Sequence, residues 1–163
     1  MAFRFTQSDT PLPPLGSEAH LLAATEGSPA FARLCDADGP LDTALDYRLD
    51  LASDTGLAAQ PYGIIMLVAF DVPEDRTDEV ERWYDEEHIR LLMQADGWLR
   101  ARRFRVSDYC GKRWTSLAFH ELRDIDVMDS EGRRIARSTP WRAELEREDW
   151  FRRAGRWVFR PAG

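Results

Sequence analysis

His88 and Tyr84 sit one helical turn apart in WYDEEHIRLL, the stretch from Trp83 to Leu92, and both fall on the inward side of the helix it predicts. An imidazole with an ordinary pKa near about 6.5 serves as general acid or base at neutral pH after only a modest shift. A phenol beside it can donate a proton or steady a developing oxyanion. The same pair has a structural reading. His88 then anchors the helix by bonding a strand backbone or Tyr84, and Tyr84 is a core aromatic with its hydroxyl at the edge. In either case His88 needs a polar partner or a water, because an unpaired buried polar group costs roughly 1–3 kcal/mol. Trp83, which also reads as packing, joins Arg102, His120 and Trp141 as candidates for contact with a substrate. Asp85 and Glu86 read as a solvated face.

The elements that must hold these residues follow from hydrophobic periodicity. GIIMLVAFDV, Gly63 to Val72, is apolar on both faces and predicts a central strand covered on both sides. A helix follows, with Val80, Trp83, Tyr84, Glu87, His88, Leu91, Leu92 and Ala95 on one face and Gly97 as its stop. WLRARRFRV, Trp98 to Val106, is the next strand, with Trp98, Arg100, Arg102, Phe104 and Val106 on one side. Buried arginines demand an anion, either a substrate carboxylate or a partner such as Asp71, Glu121 or a second copy of the chain. SDYCGK reads as a turn. In the third strand, RWTSLAFHEL, the strongly apolar Leu117 and Phe119 are expected to meet the helices. That turns His120 toward an interface; with the opposite facing it would meet His88 in one pocket. A helical region spans about 124–137. Thr139 as N-cap with Pro140 at the first helical position starts another helix, and GRWVFRP closes with a strand.

From residue 61 onward the order is β-α-β-β-α-β, an α+β ferredoxin-like domain in which two helices cover one face of a four-stranded sheet. Its other face is apolar too, and pairing of sheets between two copies is the economical way to bury it. Residues 1–60 read as an N-terminal arm with a partial β-α-β extension. The proline-bearing residues 1–17 look irregular, HLLAAT reads as a strand, SPAFARLCD as a short helix and ALDYRLDLAS as a strand.

The 163 residues are 44% hydrophobic with 6 tryptophans, enough for one real core, and the net charge of −7 argues against nucleic acid and anionic membranes as partners. No run approaches a membrane span, and the first residues lack the apolar stretch of a secretion signal. Cys35 and Cys110 form no C-x-x-C pair and the three histidines are far apart in sequence, so neither a disulfide framework nor a metal is expected. A cytoplasmic setting is the simplest reading. There is no phosphate loop, no G-x-S-x-G elbow and no C-x-x-C-H, so no cofactor is expected.

From Ile65 through Phe104 the sequence resembles the dimeric α+β barrel superfamily, closest to its EthD-like members. The residues that carry the likeness are FDVPED, WYDEEHIRLL, Gly97–Trp98 and ARRF, and further support comes from LAFHEL at Leu117–Leu122 and STPW at Ser138–Trp141. The resemblance implies a homodimer through sheet faces and a pocket between helices and sheet, with a histidine at the position of His88 in some enzymatic members. Some superfamily relatives bind haem, which leaves axial ligation by His88 open. The expected function is a cofactor-independent enzyme acting on an apolar, oxygenated aromatic or polyketide-like small molecule by dehydration, cyclisation or isomerisation, with His88 and Tyr84 as catalytic residues. The alternative is a non-catalytic small-molecule binding or assembly protein with the same fold.

Overall fold

Segments rich in aromatic and branched apolar side chains recur along the whole chain and form strands in the computed structural model, which describes residues 3–15, 19–36, 39–41 and 45–162. They are β1 (Phe3–Ser8), β2 (His20–Ala24), β3 (Phe31–Asp36), β4 (Asp46–Asp54), β5 (Ile64–Phe70), β6 (Trp98–Cys110), β7 (Ser116–Leu122) and β8 (Gly155–Pro161). All pair antiparallel, and they close into one barrel in the order β1-β3-β2-β8-β5-β7-β6-β4.

The second half of the barrel, β8-β5-β7-β6, has the fourth-first-third-second strand order of a ferredoxin-like sheet. The first half, β4-β1-β3-β2, repeats that order, and no helix joins its strands among the described residues. The chain therefore carries both halves of a barrel. Phe5, Leu22, Leu34, Tyr47 and Leu49 of the first half meet Ile65, Leu67, Phe104, Leu117, Phe119 and Phe159 of the second in one core. This corrects the expectation of a homodimer through sheet faces: the apolar face assigned to a second copy is buried by the chain's own strands.

Other expectations change for the same reason. The proline-bearing arm contains β1, though residues 1, 2, 16 and 17 lie outside the described residues. The helix expected at SPAFARLCD is β3, because Ala32 and Leu34 alternate into the barrel and the ladder to β1 rewards period two. The turn expected at SDYCGK is strand as far as Cys110, since β4 supplies pairing partners along that length. Leu117 and Phe119 point into the barrel, which sends Ala118 and His120 to the helix side, opposite to expectation. A register shift between Trp98 and Arg100 parts Trp98, packed with Leu92 and Ala95, from Phe104 inside the barrel.

Among the described residues, helices cover only the outer face of the second half. α1 (residues 77–92) is α-helical at Thr77–Trp83 and Ile89–Leu92, with a π-helical turn at Tyr84–His88 where the Ile89 N–H donates to the Tyr84 carbonyl. The extra residue shifts the helix phase, so Ile89 is buried where Leu91 was expected to be. α2 (Glu131–Ala136), α3 (Pro140–Leu145) and α4 (Asp149–Arg152) follow. Thr139 caps α3 from the Arg142 N–H, and its hydroxyl donates to Glu87 of α1 at 2.7 Å. Gly97, at φ +85°, makes the turn into β6, where a Cβ would meet Val127 at 2.6 Å. Among the described residues no helix is long and apolar enough to cross a membrane.

Candidate active site

The π turn sets the site's geometry. In a regular α-helix, positions five apart diverge by about 140°, whereas a π turn brings them nearly into line. Trp83 and His88 are five apart, and their rings stack at 4.3 Å between centroids and 21° between planes. Tyr84 meets His88 edge-on at 5.7 Å. The Arg103 guanidinium lies 4.1 Å over the Tyr84 ring and donates to Glu81 and Ser116, which locks the phenol in place.

Each imidazole has one ring nitrogen committed. His88 Nδ1 lies 3.2 Å from the Ala136 carbonyl; a carbonyl only accepts, so Nδ1 carries the proton and Nε2 is a free base. His120 Nδ1 lies 3.2 Å from Trp98 Nε1, and an indole N–H only donates, so here Nδ1 accepts and Nε2 carries the proton. The two neutral rings thus hold opposite tautomers. Both line a cavity of about 50 Å³ beside Met66, Val68, Trp83 and Tyr84.

Burial decides their protonation. It lowers the His88 pKa to about 3, with Arg142 and Arg137 adding to the effect against the Ala136 carbonyl. Burial likewise lowers His120 to about 3, helped by a charge on His88 and by Arg103. Tyr84 is pushed up to about 12 by burial, in spite of the arginines around it. At neutral pH the cavity therefore holds a neutral base, a neutral N–H donor and a neutral phenol.

Of the residues singled out in the sequence, His88, Tyr84, Trp83 and His120 come together, and two do not. Trp141 lies outside the cavity, its Nε1 donating to Glu79 at 3.4 Å and the Arg82 guanidinium above its ring. Arg102 points to the opposite face of the sheet, where it pairs with Glu121 at 2.9 Å. There it helps line a separate hollow of about 300 Å³ with Phe3, His20, Leu51 and Asp54. Asp85 and Glu86 are exposed. Arg133, Arg137, Arg142 and Arg156 also line the His88 cavity, and sequence reasoning passed over them. The available signal was the arginine spacing in RRIARSTPWR, residues 133–142, which reads at first sight as an ordinary charged helix surface.

No protein-family description and no curated protein matches the sequence. Solved structures match the whole chain. A heme-degrading enzyme from Listeria monocytogenes superposes with a TM-score of 0.65 at 7% identity, covering 99% of each chain. A ferredoxin-fold protein from the same organism, described as related to antibiotic biosynthesis monooxygenases, gives 0.64 at 8% identity over 100% of this chain and 95% of its own. An anthrone oxidase-like protein gives 0.67 at 9% identity over 99% and 90%. At such identity the likeness shows the fold alone, a ferredoxin-like α+β barrel.

Proposed function

We propose that this chain is a small-molecule enzyme in which His88 and His120 act as a base–acid pair. The observation that carries the reading is the opposed tautomers. Fixed partners at both Nδ1 atoms leave one Nε2 able to take a proton and the other able to give one, on the same cavity. Removal of a proton from a carbon beside a carbonyl by His88, with Tyr84 and His120 donating to the enolate oxygen, starts dehydration, cyclisation or isomerisation of an oxygenated compound. Nothing in this sequence of proton transfers calls on a cofactor. The EthD-like kinship is supported by the sequence motif alone.

The Listeria neighbour raises haem as a ligand. The residues present do not fit it at His88: the cavity of about 50 Å³ beside the ring is far too small for a porphyrin. The second reading is a binding protein that uses the same cavity and leaves its ligand unchanged.

His88→Gln tests the proposal, because glutamine can still donate to the Ala136 carbonyl but has no basic nitrogen. With a panel of enolisable aromatic and polyketide compounds read by mass spectrometry, the wild type is expected to give product, while His88→Gln gives none and melts within a few degrees of it. Binding without product in the wild type supports the second reading. Running the panel under air and under nitrogen separates proton transfer from oxygenation.

A further inference from the structure

A chain with a net charge of −7 gathers four arginines at the mouth of one cavity. Arg133 and Arg142 come from α2 and α3, Arg137 from the link between them and Arg156 from β8. A wider hollow of about 470 Å³ lies outside the cavity, and Arg133, Arg137 and Arg142 line both. The carboxylates lining this hollow are Asp129 and Glu146, and among the described residues only Glu146 is engaged, by Arg142 at 2.7 Å. Arg133 and Arg142 each spend an Nη1 on a backbone carbonyl, of Met128 and Arg137 respectively. Among the described residues, Arg137 and Arg156 make no ion pair and no side-chain hydrogen bond.

Such a cluster costs free energy while nothing anionic sits in it. Arg133 and Arg156 are both held below the usual guanidinium pKa, first by partial loss of solvent around the guanidinium and then by Arg137 and Arg142. Guanidinium forks match the planar or tetrahedral oxygens of an acid, and the match is strongest where water is partly excluded. Behind the arginines the wall turns apolar at Met66, Val68, Phe70, Trp83 and Phe151. A ligand that reaches from one region to the other combines an anionic head with an apolar body.

We infer that Arg133, Arg137, Arg142 and Arg156 bind the anionic head of an organic acid, a carboxylate or a phosphate ester, whose apolar end faces His88 and His120. This names the substrate class of the proposed enzyme and rests on that reading for its catalytic meaning, but not for the binding. The arginine vestibule then selects the substrate, and the imidazoles act on it.

Binding of benzoate, phenyl phosphate and neutral benzamide is measured by calorimetry on the full chain, at low and high salt. At least one of the two anions is expected to bind in the millimolar range or tighter, at least about tenfold better than benzamide, with an affinity that falls as salt rises. Whichever anion binds identifies the head group. Arg137 and Arg156 are exposed, so Arg137→Gln/Arg156→Gln should fold normally and lose at least about tenfold of that affinity. Equal binding of benzamide, no binding of either anion, or full affinity in the double arginine variant would overturn the inference. Anion binding as expected by a protein that turns nothing over leaves the inference standing and removes only the enzymatic reading.

Discussion

His88 and His120 are held neutral by their surroundings, and that has a consequence for stability. Their pKa values fall from an unfolded value near about 6.5 to about 3 in the folded chain. Between those limits the unfolded chain binds more protons, so stability is full above about 6.5 and falls as the pH drops toward 3. Urea denaturation from pH 7 down to pH 4 should show this loss, and His88→Gln/His120→Gln should show a shallower one; an unchanged slope would mean that the rings are not buried as described. Sequence alone marked His88 and Tyr84 as titratable groups on a buried face. It could not supply their partners, because the Ala136 carbonyl and the Trp98 indole come from other elements, and those partners decide which nitrogen bears the proton.

At the scale of the element, the π turn decides what His88 touches. It gives the Trp83–His88 stack and moves burial from Leu91 to Ile89. Deleting the exposed Glu86 should restore a regular helix, with Ile89 one ordinary turn beyond Tyr84 and Leu92 still inward. The deletion is expected to keep the helical circular dichroism and a melting temperature within several degrees of wild type, while activity falls by at least about tenfold as His88 leaves its position. Full activity would show that the π turn is incidental. Amphipathic spacing revealed the helix but not this turn, because one added residue leaves both flanks with an acceptable pattern. The faces of β7 were misjudged for a related reason. Leu117 and Phe119 look like residues that meet helices, and only the barrel's other half shows that they meet strands.

For the whole molecule, the decisive fact is that β1 to β4 form the first half of the barrel. Among the described residues the short strands of that half have no intervening amphipathic helix to announce a repeat, so β1 read as an irregular arm and β3 as a helix. A core shared by both halves predicts that Leu34→Ala costs about 2–5 kcal/mol and lowers the stability of the entire chain in a single transition. A melting temperature independent of protein concentration should accompany it, since the barrel closes without a second copy. Separate unfolding of the two halves, or a melting temperature that rises with concentration, would contradict this picture. What the barrel and its helices achieve together is a cavity wall with two neutral imidazoles in opposite tautomers. Nitrogen-15 NMR of the histidine side chains observes that state directly. The expected spectrum has the proton on Nδ1 of His88 and on Nε2 of His120, with both rings neutral from pH 7 to below pH 5. The same tautomer on both rings, or either ring titrating near its ordinary pKa, would contradict the account.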